Sequence, residues 1–138
     1  MLNPEVIYSR LQEMEENIKL LSEINKTDLD KFQSDPKIYK LAERCLEISL
    51  ECLIDICHYI IASNNWTRPK DNAEAIILVG QRGVIPLEFA KKIVGMANLR
   101  NILIHAYLTI DRKLLHEHIN HLKDFKDFQK HILSYIKK

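Results

Sequence analysis

Within the 138-residue chain, Arg100-Asn101-Ile102-Leu103-Ile104-His105-Ala106-Tyr107 gathers four polar or reactive side chains in an otherwise apolar segment. Histidine, with a reference pKa of roughly 6.5, can donate or accept a proton near neutrality. An arginine nearby can hold a phosphate as negative charge develops on it. Together they suit cleavage of RNA without a metal, with His105 as general base or acid at the ribose hydroxyl and Arg100 on the phosphate. Asn101 and His105 fall one helical turn apart on one face, and Arg100 and Tyr107 lie nearly in line. Arg100 and His105 point about 140° apart at about 100° per residue, so one helix does not unite them. Two copies crossing at a twofold axis would. The alternative use of these residues is structural: Arg100 and Asn101 tie down neighbouring helices, and His105 caps the last turn.

The other clusters are weaker. His116-Glu117-His118-Ile119-Asn120-His121 misses the HExxH zinc pattern because Asn120 stands where the second histidine is needed. His118 and His121 share a face three residues apart, a two-ligand patch that reads as solvated surface, so no metal is expected. Asp55 with His58 allows an acid/base pair or a surface ion pair. Lys123, Lys126, Lys130 and Lys137 line one side of the last segment, with Asp124 and Asp127 diluting their charge; they read as a solubility face before a nucleic-acid path. Cys45, Cys52 and Cys57 form an odd set without CxxC spacing, as expected of reduced core thiols. No glycine-rich phosphate loop or nucleophile elbow is present, and no cofactor is expected.

The elements that must carry these residues are helical. Only 3 Gly and 4 Pro serve the whole chain, few for a fold of many tight turns. Hydrophobic residues at 46% and charged residues at 28% exclude a disordered chain and a membrane protein, and the length predicts one domain over 1–138. Lys and Arg exceed Asp and Glu by one, so no general attraction for polyanions arises. No leader or membrane-length apolar run stands out, which predicts a cytoplasmic protein.

Asn3-Pro4 and Asp35-Pro36 each read as a cap followed by proline at the first helical position. A first helix is predicted from Pro4 to Glu23 and a longer one from Pro36, ending at Ser63-Asn64-Asn65. The long helix carries two apolar stripes, Ile38-Leu41-Cys45-Ile48-Cys52-Ile56 and Leu46-Leu50-Leu53-Cys57-Ile61, more than one neighbour can cover. Its opposite stripe is polar, with Arg44, Glu47, Glu51, Asp55 and His58. A short helix over Ala73–Val79, one starting at Val84-Ile85-Pro86 and persisting to about Leu108, and a final helix capped by Asp111 complete the expectation. The fold class is all-α, an up-and-down bundle of about four long helices plus one short helix, homodimeric.

Leu99-Arg100-Asn101-Ile102-Leu103-Ile104-His105-Ala106-Tyr107 resembles the RNxxxHxY form of the RX4-6H motif of HEPN-domain proteins, in particular the HepT-like toxin group. Asp35-Pro36, Glu51 with Asp55 and His58, Gly83-Val84-Ile85 and Tyr107-Leu108-Thr109-Ile110-Asp111 extend the likeness over nearly the whole chain. The resemblance implies a helical homodimer whose two motif copies build a shared, metal-independent endoribonuclease site for RNA such as tRNA. Arg100 and His105 would be catalytic, Asn101 would assist, and Glu51 and Asp55 would support them. It further implies a toxin–antitoxin pair of type II or a type VII-like kind, in which a minimal nucleotidyltransferase partner transfers AMP to Tyr107. The rival role implied by similar proteins is a noncatalytic substrate-binding subunit of a nucleotidyltransferase complex.

Overall fold

The computed structural model describes residues 2–105 and 111–138. Its described residues form eight helices: α1 (Pro4–Ile24), α2 (Leu29–Ser34), α3 (Pro36–Ser63), α4 (Asn72–Gln81), α5 (Leu87–Ile93), α6 (Met96–His105), α7 (Arg112–Ile119) and α8 (Lys123–Ile136). The all-α expectation holds, whereas the expected five helices were too few.

Local chemistry sets the starts. The Asn3 side chain accepts from Glu5 N at 3.1 Å ahead of Pro4, and Asp35 accepts from Lys37 N at 3.0 Å ahead of Pro36. Asp111 accepts from Lys113 N and Leu114 N at 3.0 and 3.3 Å, the cap expected of it. Helix α3 stops at Ser63 because Asn65 adopts φ 55°, and Trp66 N closes the end on Ile61 O at 3.1 Å.

Helix α3 is central, packing against α1, α2, α4, α6, α7 and α8. Asn3 N donates to the Tyr59 hydroxyl and Arg10 faces Asp55, so α1 runs antiparallel to α3. From α1 the core takes Ile7, Leu11, Met14, Ile18 and Leu21; from α3 it takes residues of both predicted stripes, including Cys45, Leu46, Leu50, Leu53, Ile56 and Cys57. Each fully buried Leu, Ile or Phe contributes about 1.5–3 kcal/mol. Leu41, assigned to the first stripe, is instead 44% exposed, because the face covered at the start of α3 is the one carrying buried Tyr39 and Ala42. Buried Ser49 returns its hydroxyl to Cys45 O at 2.8 Å.

Three differences from the periodicity have plain causes. Helix α2 is one short capped turn pair, started by Asp28 accepting from Lys31 N at 2.9 Å and pinned by fully buried Phe32 against His116. The helix expected from Val84 to Leu108 begins at Leu87 and breaks at Val94-Gly95, giving α5 and α6. The final helix breaks at Asn120–Leu122 into α7 and α8, where Phe125, Phe128 and Ile132 are buried. Gly80 permits a close approach of α4 and α5: a Cβ there would lie 2.5 Å from Ala90 Cβ. No helix among the described residues is long and apolar enough to cross a membrane.

Candidate functional site

Helix α6 is laid on α3 by buried Ala97 and by Leu99 and Leu103, which pack against the core. That orientation turns Arg100 back toward the polar stripe of α3. Arg100 Nε donates to Glu51 Oε2 at 2.7 Å and Nη2 to Glu51 Oε1 at 3.1 Å, a two-pronged contact that fixes the plane of the guanidinium. Arg100 Nη1 also donates to Asn101 Oδ1 at 3.3 Å.

The pair lies in a cleft of about 350 Å³ between α1, α3 and α6. Helix α1 contributes Arg10 and Glu13; α3 contributes Arg44, Glu47, Glu51, Asp55, Ile48 and Cys52; α6 contributes Arg100 and Ile104. Arg10 Nε stands 3.6 Å from Asp55 and Arg44 Nη1 stands 3.2 Å from Glu47. Both arginines are exposed and their carboxylates partly so, and such pairs are worth about 0–1 kcal/mol. The more enclosed, two-pronged Arg100–Glu51 contact is the firmest in the cleft. With three arginines against four carboxylates, the cleft carries a formal charge of minus one.

Hydrogen bonding to Glu51 raises the Arg100 pKa further above its ordinary value, so this side chain remains a cation. Burial, and secondarily the Glu51 charge, pushes the Asp55 carboxyl up. An acid whose folded pKa is raised stabilises the fold below its ordinary value and loses that contribution as pH rises through the raised one. At neutral pH the wild-type chain therefore carries a charged, partly desolvated carboxylate that asparagine would remove. Asp55→Asn is expected to melt above wild type at pH 7, with the gap closing as pH falls below the ordinary carboxylate range. Thermal melts across pH check this; a variant less stable than wild type at pH 7 would overturn it. Cys52, on the cleft wall, has its thiol pushed up to about 12 by burial and is no nucleophile.

The structure brings together Arg100, Asn101, Glu51 and Asp55. It does not bring His105 to them: that side chain is exposed at the C-terminal end of α6 and is no part of the cleft wall. Tyr107 lies outside the described residues, as does the end of the helix expected to reach Leu108. Asp55 pairs with Arg10 rather than His58, whose Nε2 meets Asn72 Oδ1 at 2.8 Å. The acid/base pair of Asp55 and His58 is therefore not formed, because α4 starts beside His58 and takes it. His118 and His121 border a separate cavity floored by Leu46, Leu50 and Phe125, and burial lowers the His118 pKa. Among the described residues no three His, Cys, Asp or Glu side chains are grouped to hold a metal. On the α8 face Lys123 is paired with Asp127, whereas Asp124 is paired with Lys92 of α5.

Sequence reasoning missed Arg10. Its signal was its phase: it borders the Ile7-Leu11-Met14 stripe and sits one turn before Glu13, the edge of a face that packs on α3.

Comparison with known proteins agrees with this architecture. A family model described as "Ribonuclease HepT-like" matches residues 14–132. The tRNA nuclease HepT of Aphanizomenon flos-aquae is 29% identical over 110 residues, covering 80% of this chain and 75% of that protein. The mRNA nuclease HepT of Shewanella oneidensis is 23% identical over 125 residues, covering 90% and 93%. A solved structure of a tri-AMPylated Shewanella oneidensis HEPN toxin in complex with an MNT antitoxin superposes with a TM-score of 0.84 at 22% identity, over 96% of this chain and 99% of that one. With a family model spanning most of its length and an all-helical fold shared with the HEPN toxin, the chain belongs to the HepT-like ribonuclease family.

Proposed function

We propose that the chain is a metal-independent endoribonuclease toxin whose site is completed by a second copy. The observation that carries this is the division of the motif: Arg100 is clamped into the cleft by Glu51 while His105 stands exposed at the far end of the same helix. A twofold crossing of two α6 helices would set the His105 of one copy beside the Arg100 of the other. Ile102, 46% exposed on α6, supplies apolar surface for such a contact.

In that composite site His105 takes the proton of the ribose 2′ hydroxyl as its oxygen attacks phosphorus. The bond to the 5′ oxygen breaks, that oxygen takes a proton from solvent water, and the products are a 2′,3′-cyclic phosphate and a 5′ hydroxyl. Arg100 neutralises the charge that builds on the phosphate oxygens, with Asn101 and Glu51 holding its plane and Asp55 completing the cleft wall. RNA is the substrate class, consistent with the tRNA and mRNA nucleases to which the chain is similar.

Tyr107, two residues after His105, is the residue that an AMP-transferring partner would modify, in keeping with a structural neighbour described as a tri-AMPylated toxin with its MNT antitoxin. A phosphate added two residues from His105 would bring negative charge next to the residue proposed to handle the substrate and so oppose the approach of RNA. The test incubates purified protein with a tRNA pool and a chelator, then resolves fragment ends. Cyclic phosphate ends support the assignment. Intact RNA, with binding to a nucleotidyltransferase retained, would shift it to a noncatalytic binding subunit. Tyr107→Phe is expected to cut RNA but to escape silencing by the nucleotidyltransferase and ATP. Its intact mass should show no AMP; an unchanged AMP adduct would move the modification to another residue.

A further inference from the structure

The cleft presents one guanidinium from each of three helices: Arg10 on α1, Arg44 on α3 and Arg100 on α6. They are not held alike. Arg100 is 25% exposed and spends two nitrogens on Glu51. Arg10 is 45% exposed, 3.6 Å from Asp55 and 3.8 Å from Glu13. Arg44 is 66% exposed and meets Glu47 at 3.2 Å. An arginine has five N–H donors in a fixed fork, and loose, exposed pairing leaves most of them free for another acceptor. A phosphodiester offers two charged oxygens that match this fork.

We infer that Arg10 and Arg44 are further phosphate contacts of the RNA strand, flanking the phosphate held at Arg100. This rests on the ribonuclease assignment for the cleft. Phosphates of the substrate displace Glu13, Asp55 and Glu47 from the two arginines, whereas Glu51 stays on Arg100 as its support. The carboxylates then oppose binding, because with four of them the empty cleft repels a polyanion. Removing an arginine and removing its carboxylate therefore have opposite effects. A merely structural ion pair would give no such opposition.

The experiment uses the full chain carrying His105→Ala, so that RNA is bound without being cut, and measures affinity for a tRNA pool against salt concentration. Arg10→Ala and Arg44→Ala are each expected to reduce the slope of log affinity against log salt by about 0.7. Glu47→Gln is expected to tighten binding severalfold. In the chain with His105 intact, the two arginine variants raise KM rather than lower kcat, and Arg44→Lys recovers part of the salt slope but not the full affinity. Slopes equal to that of the His105→Ala parent, together with no tightening by Glu47→Gln, would overturn the inference even if wild-type protein cuts RNA. Reduced slopes in a chain that cuts nothing would uphold the phosphate track and remove the ribonuclease assignment instead. Both arginines are too exposed for their loss to threaten folding, and circular dichroism of each variant checks this.

Discussion

Replacing His105 with alanine is expected to slow RNA cleavage by about 10²–10⁴-fold, the usual worth of a general acid or base. The imidazole is exposed at the end of α6 and takes no part in the core, so the fold should be indifferent to its loss. Melting temperature and self-association should match wild type, which separates a catalytic role from a structural one. Initial rates on a tRNA pool in chelator, alongside thermal melts, make the comparison. A variant that cuts at the wild-type rate would remove His105 from the mechanism. A variant that loses both stability and cutting would favour the structural alternative, in which this histidine secures the helix end.

Arg100→Lys is expected to cost about 10²–10³-fold in cleavage although charge is conserved, comparable to deleting a preorganised donor for a developing anion. The reason is geometric. Arg100 uses Nε and Nη2 on Glu51 and reaches Asn101 with Nη1, so one planar group is fixed by two partners at once. A lysine ammonium is a single point with no plane to fix, and it cannot hold Glu51 by two oxygens while presenting a fork to phosphate. The fold should survive, because Glu51 keeps a cation nearby and remains partly exposed. Wild-type rates in the lysine variant would mean that charge alone suffices at this position and that the Glu51 clamp plays no part in rate.

What the sequence revealed about this molecule depended on the range of the interaction. Asn3-Pro4, Asp35-Pro36 and Asp111 were legible because a cap is decided within a few residues. The stripes of α3 were legible because burial repeats with the helical period, and the polar stripe opposite them became one wall of the cleft. The break at Val94-Gly95 was hidden, since Ile93, Met96 and Ala97 keep the apolar pattern running across it and a lone glycine does not end a helix. Helix α2 was too short to show a period, its burial resting on Phe32 alone. The clamp on Arg100 joins residues 49 apart in the chain, a distance no spacing rule spans; Glu51 entered through family resemblance and acquired its partner from the packing of α6 on α3. His58 went to Asn72 for the same reason, a neighbour supplied by tertiary contact rather than by the helix carrying it.

The three buried thiols have a practical consequence. Cys45, Cys52 and Cys57 are all in the core, burial raises the pKa of each, and those of Cys52 and Cys57 stand at about 12. In the native state they are protonated and shielded from electrophiles. The chain therefore behaves toward maleimides as though it had no cysteine at all. A single cysteine placed at exposed Ser134 would take up a fluorophore alone, without first stripping the native sulfurs from the interior. Mixing copies labelled in two colours would then let energy transfer report whether two copies of the chain associate at all.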